Sequence, residues 1–166
     1  MLGVPADLAA AHALFDRNPF DFERWAVSLV RGTPNQKQVG DKGRDGLVRF
    51  YNGPKKKPGQ VVVSVKGGKQ LNPAMVRDLG GTVAHDDKVD GGILLTLWNP
   101  TSGMKQEAQT SGNFTDMLGN SYPKVQIMTV EQLLRGERPT FPLVIPPYTE
   151  ARPVEETVEE MMLFDL

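Results

Sequence analysis

Phe22, Trp25, Ala26, Leu29 and Val30 recur at i, i+3, i+4, i+7 and i+8, the spacing of one buried helix face. Asn18-Pro19 in front supplies a cap and a proline at the first helical position, and Gly32-Thr33-Pro34 behind ends the helix. A shorter helix is predicted from Leu8 to Phe15. The pattern then shortens. Leu47 to Tyr51 and Gln60 to Lys66 read as strands, and Asn52-Gly53, Pro54 and Pro58-Gly59 between them make a hairpin with a lysine-rich tip. A helix beginning at Asn72-Pro73 turns Val76, Leu79 and Val83 inward, although Gly80 and Gly81 weaken it. Gly92 to Trp98 reads as a buried strand, Met104 to Ser111 as a short helix, and Val125 to Met128 as another strand. Thr129-Val130-Glu131-Gln132 is a capping box opening a last helix that Gly136 closes. One hairpin followed by crossover connections predicts an α/β sandwich, a mixed sheet flanked by helices. Beyond Gly136, Pro139, Pro142, Pro146, Pro147 and Pro153 forbid a regular helix. A folded domain over 1–136 is therefore expected, followed by an extended, proline-rich segment and acidic tail over 137–166.

Charge changes this picture more than composition does. The 166 residues are 39% hydrophobic and 23% charged, ordinary for a globular domain, and the net charge is only −1. Yet Arg31, Lys37, Lys42, Arg44, Arg49, Lys55, Lys56 and Lys57 face only Asp41 and Asp45 within one segment, a net of +6. The tail from Glu150 carries a net of −5. A basic face with a polyanionic partner fits this asymmetry; a solvated loop and a loose end fit it too. There is no cysteine, which removes disulfides, thiolate zinc sites and cysteine nucleophiles. No apolar run approaches the ~20 residues of a membrane helix, and no basic segment precedes an apolar one at the start, so a cytoplasmic protein is expected.

The chemistry concentrates where the hairpin strands meet. Side chains alternate along a strand, so Val61, Val63 and Val65 share one face while Val62, Ser64 and Lys66 share the other. Asp45 sits at the mouth of the neighbouring strand between Gly43 and Gly46, and hairpin pairing brings it toward Ser64 and Lys66. A carboxylate to hold Mg²⁺ and a lysine to position water are what phosphodiester hydrolysis asks for. A surface salt bridge between Asp45 and Lys66 satisfies the same spacing.

Six segments in order carry a resemblance: Phe22-Glu23, Gly43-Arg44-Asp45-Gly46, Ser64-Val65-Lys66-Gly67-Gly68, Val76-Arg77-Asp78-Leu79, Pro100-Thr101-Ser102-Gly103-Met104, and Tyr122-Pro123-Lys124-Val125-Gln126-Ile127-Met128-Thr129. From about Gly3 to Pro139 the chain resembles the PD-(D/E)XK restriction-endonuclease-like superfamily. Within it, the chain is most similar to the Mrr-like branch and to the module at the C-terminus of some bacterial site-specific DNA methyltransferases. The resemblance implies a metal site of Asp45, the Val65 carbonyl and Glu23, with Lys66 catalytic and Mg²⁺ or Mn²⁺ as cofactor. It implies double-stranded DNA as partner, and the basic residues Lys42, Arg44, Lys55, Lys56, Lys57 and Lys69 are the candidate contacts. Two functions follow from it. One is a Mg²⁺-dependent DNA endonuclease of a restriction or defence system, for which a homodimer would be natural. The other is a catalytically weak DNA-binding accessory module serving a methyltransferase. Ser64 stands where relatives carry an acidic residue or glutamine, and a hydroxyl is a weak ligand for Mg²⁺. Met1 falls where the module normally follows a methyltransferase domain, so a free-standing relative or an excised module is expected.

The remaining candidates have plain readings. His85, in His85-Asp86-Asp87, suits a helix end better than catalysis. Trp25 falls on the apolar stripe. Trp98 ends a buried strand, where core packing competes with stacking on a base. No Walker or Gly-x-Ser-x-Gly pattern occurs. Met161 to Phe164 form an apolar patch in the acidic tail.

Overall fold

The computed structural model describes residues 4–35, 43–54 and 56–147. Lys42, Lys55 and the acidic tail with its Met161 to Phe164 patch lie outside the described residues.

Two capped helices come first. Asp7 accepts a hydrogen bond from the Ala10 N–H (2.8 Å) and opens α1 (Leu8–Arg17). Asn18 accepts from the Asp21 N–H and, with Pro19 in the first turn, opens α2 (Pro19–Leu29). The stripe read from the sequence is buried at Phe22, Ala26 and Val30, with Trp25 and Leu29 partly buried against the same core, and Val27, outside the stripe, is buried too. A two-residue strand, β1 (Thr33–Pro34), leads to the hairpin of β2 (Gly46–Phe50) and β3 (Gly59–Lys66). After α3 (Pro73–His85) come β4 (Gly91–Thr96), α4 (Ser102–Thr110), a small hairpin of β5 (Asn113–Thr115) and β6 (Ser121–Pro123), β7 (Val125–Thr129), α5 (Val130–Leu134) and β8 (Val144–Ile145). The Thr129–Gln132 capping box is present at α5, with both of its reciprocal hydrogen bonds.

The main sheet runs β1-β2-β3-β4-β7, with β8 also on β2. β2 and β3 are antiparallel, while β3–β4 and β4–β7 are parallel, so the sheet is mixed, as expected from one hairpin and two crossovers. Val61, Val63 and Val65 of β3, with Ile93 and Leu95 of β4, pack toward α1, α2 and α5. Val62 and Leu94 pack on the other face toward α3 and Met104 of α4. No described helix is long and apolar enough to cross a membrane.

Three elements escaped the sequence pattern: β1, the β5–β6 hairpin and β8. Each is two or three residues long, too short for alternation to register. After Gly136 the chain runs extended, but it stays on the domain. The Gln126 side chain of β7 donates to the Thr140 carbonyl (2.7 Å) and accepts from the Thr140 N–H (2.8 Å). The Tyr51 N–H then bonds the Leu143 carbonyl, and β8 pairs with Arg49 and Phe50. This strap carries the chain from the β7 side of the sheet to its β2 edge, with Phe141 and Val144 against the core.

Candidate active site

Asp45 is fixed before its side chain does anything. Its N–H donates to the Val63 carbonyl (2.8 Å), and its own carbonyl accepts from the Asn35 N–H (2.9 Å). Gly46 also stands opposite Val63 in the register. Two residues at the mouth of β2 thus address one of β3, the arrangement of a β-bulge, which re-aims a side chain. The Asn35 amide holds the neighbouring Arg44 carbonyl at 3.1 Å.

Gly46 brings α2 onto this point. A Cβ there would lie 2.4 Å from Val27 Cγ1 and 3.1 Å from the Thr33 carbonyl, so only glycine admits the helix this close. Glu23 precedes Val27 by four residues and so lies on the same face of α2. Its carboxyl reaches Asp45 and is hydrogen-bonded to it. Burial pushes the Glu23 pKa up first, the adjacent Asp45 charge and that shared hydrogen bond add to it, and Lys66 pulls it back. The result moves from an ordinary 4.5 to about 7.

Asp45 Oδ2 accepts the Val65 N–H at 2.7 Å. A strand residue's N–H and C=O point to the same side, so the Val65 carbonyl also lies toward Asp45. The Lys66 carbonyl faces the other way and accepts from the Leu97 N–H (3.0 Å). Ser64 is 5% exposed. It lines, with Lys66, Gly43, Arg44, Asp78 and Thr82, a cavity of about 190 Å³ under α3. Arg44 pairs with Asp86 beyond α3 at 2.9 Å, holding the mouth of β2 to the end of that helix. Asp86 sits below the usual carboxylate range because the Lys88 N–H and Arg44 both donate to it. A groove of about 500 Å³ continues along β2 past Asn35, Arg44, Arg49 and Gln60.

The structure therefore gathers Asp45, Glu23, Val65 and Lys66, with Ser64 beside Lys66. It does not gather the lysine tip. Lys56 and Lys57 are exposed beyond the start of β3, while Lys66 ends it. Those eight residues span roughly 25 Å at about 3.3 Å each. Lys69 lies at the Lys66 end, 5.4 Å from the Trp98 ring. Among the described residues no three His, Asp or Glu side chains cluster as a metal cage. Two carboxylates in contact with a backbone carbonyl nearby nonetheless fit Mg²⁺, which binds through one or two carboxylates and keeps waters and phosphate oxygens for the rest.

Sequence reasoning missed Asn35, Asp86 and the exposure of Trp98. Trp98 is 38% exposed despite following seven buried residues, so the expected core role gives way to a surface one. His85 ends α3, but Asp86 makes the tie there. Only a partner strand reveals Asn35 and Asp86, since neither belongs to a local pattern.

No family model and no curated protein matches the chain. Among solved structures it is similar to the MspJI restriction endonuclease in complex with a 27-mer oligonucleotide. The TM-score is 0.58 at 16% identity, over 76% of this chain and 29% of that one. It is also similar to the restriction endonuclease FokI, bound to DNA (TM-score 0.48, 17% identity) and in a second structure (0.47, 16%). Each of these likenesses covers 80% of this chain and 27% of FokI. The chain thus spans under a third of the length of these proteins. The MspJI likeness shows the fold: a mixed sheet flanked by helices, restriction-endonuclease-like, as the sequence led one to expect.

Proposed function

We propose that this chain is a metal-dependent DNA endonuclease module of a restriction or defence system, hydrolysing phosphodiester bonds in double-stranded DNA. The observation that carries the reading is the contact of two carboxylates, Asp45 and Glu23, within reach of the Lys66 charge. Structures place such a crowded, half-buried pair at a sheet end at some cost, and perturbed carboxyls of this kind concentrate at functional sites. Asp45, Glu23 and the Val65 carbonyl would hold Mg²⁺ or Mn²⁺. Bound there, the cation would polarise the phosphate and lower the pKa of a bound water. Lys66 orients the attacking water and offsets the charge that grows on the phosphate oxygens. The attacking water gives up a proton to solvent as its oxygen bonds phosphorus, the bond to one sugar oxygen breaks, and that oxygen leaves with a proton from solvent. Arg44, Lys56, Lys57 and Lys69 contact backbone phosphates, with the groove along β2 as the path of the duplex. The six-segment resemblance supports the Mrr-like branch and a methyltransferase partner, and cutting both strands would call for a homodimer.

A second reading rests on Ser64. A buried, neutral hydroxyl beside Lys66 adds no charge to the metal site, which favours a catalytically weak DNA-binding accessory module of a methyltransferase or restriction system. Plasmid nicking with Mg²⁺ or Mn²⁺ separates the two. Wild type should nick; Lys66→Ala should lose about 10²–10³ in rate while melting normally, and Asp45→Ala should lose it too. Wild type that binds duplex without nicking gives the accessory reading.

A further inference from the structure

Beside Lys66 the surface carries an aromatic platform that the hydrolytic chemistry does not use. Leu97 bonds the Lys66 carbonyl, and the next residue, Trp98, turns outward. Two separate elements converge on its ring. Lys69, in the turn after β3, holds its ammonium 5.4 Å from the ring centroid. His12 of α1 meets it edge-on, 4.7 Å between centroids and 67° between planes. The turn itself is seated by Gly67, whose Cβ position lies 2.3 Å from the Phe15 ring of the same helix, while the space over Gly68 is open.

The ring is held between a lysine and a histidine with 38% of its surface open, so it offers a stacking face to a ligand that is itself flat and apolar. The lysine adds that the ligand is anionic. Both demands meet in a nucleotide whose base is not paired: its π face stacks on the ring, and Lys69 swings from the ring to the adjacent phosphate. Bases inside an intact duplex offer no such face. We infer that Trp98, with Lys69 and His12, is a stacking shelf for an unpaired nucleotide of the strand held at Asp45 and Lys66. The preferred substrate is then duplex DNA interrupted by a gap or single-stranded junction. This rests on the DNA reading proposed above.

The test uses the full chain without divalent metal, so that nothing is cut. The chain has two tryptophans, and Trp25→Phe leaves Trp98 as the only reporter. Its emission is followed on adding a continuous duplex or the same duplex with a three-nucleotide gap. Quenching should saturate with the gapped DNA at several-fold lower concentration than with the duplex. Anisotropy of labelled DNA should show Trp98→Ala binding the gapped form roughly tenfold more weakly, with Trp98→Phe retaining most of the preference. Lys69→Ala should weaken both DNAs, and the gapped form more, as the phosphate beside the stacked base loses its partner. Equal quenching by both DNAs overturns the shelf; so does an unchanged preference in a folded Trp98→Ala. Should that variant not fold, the emission experiment on the native ring decides alone. A chain that quenches on gapped DNA but never nicks with metal refutes the nuclease reading and keeps the shelf. One that nicks without preferring gaps does the reverse.

Discussion

At the far end of the sheet the Asp116 carboxylate is ringed by donors; at the near end Glu23 is paired with another carboxyl. Desolvation pushes Asp116 up, but the Asn120 and Leu118 N–H groups and the Tyr122 hydroxyl outweigh it and hold it below the usual carboxylate range. Around it, Phe50, Phe114 and Tyr122 stack with centroids 5.8 and 5.6 Å apart. Glu23, half-buried, instead faces another carboxyl. Both ends use carboxyls, aromatics and close-fitting glycines. The far end surrounds its carboxylate with donors, while the near end crowds two carboxyls together, and that crowding raises Glu23.

Gly46→Ala should break the near end most severely. The added methyl meets Val27 and must push α2 away, at about 1–3 kcal/mol, and it separates Glu23 from Asp45. Melting should fall, and nicking should fall further than the folded fraction explains. At the far end, Phe114→Ala should cost roughly 2 kcal/mol, less than a fully buried phenylalanine because Phe114 is half-exposed. Nicking per folded molecule should be unchanged, so the pair of variants separates fold from chemistry.

The Glu23 carboxyl sharpens the comparison through pH. Its folded pKa lies above the unfolded value, so it binds a proton more tightly when folded. The resulting stability is fully present below about 4.5 and is lost as pH rises through about 7. Metal-free protein should therefore melt lower at pH 8 than at pH 5.5, and Glu23→Gln should flatten that part of the profile. The smallest effect belongs to the lysine tip. Replacing Lys56 and Lys57 by Ala should leave the nicking rate at saturating DNA unchanged. The slope of log affinity against log salt should flatten by roughly 0.9 per lost duplex contact.

Much of this was legible in the sequence, for physical reasons. The stripe of α2 and the alternation in β3 are local, so periodicity finds them. Asp45 announces itself through flanking glycines and hairpin pairing. Glu23 came only from resemblance, because nothing in Phe22-Glu23 tells a helical glutamate facing a carboxylate from one facing water. The bulge at Asp45-Gly46 requires knowing the partner strand. Trp98 was misplaced since an apolar run of strand residues gives no sign of where the chain leaves the core.

The strap has a consequence for how the chain is made. The outer edge of β2 is closed by β1 at Gly46 and Leu47 and by β8 at Arg49 and Phe50. On a growing chain the second closure waits for Ile145, about 95 residues after Phe50. At ~5–20 residues per second that is roughly 5–20 s of ribosome time. For that interval the nascent hairpin presents an open backbone edge, a template for neighbouring chains. Arg49 within β2, and Lys56 and Lys57 beyond it, put like charges along that edge. Charge at a strand edge deters pairing with a copy of itself. These basic residues thus guard the open edge until β8 covers it.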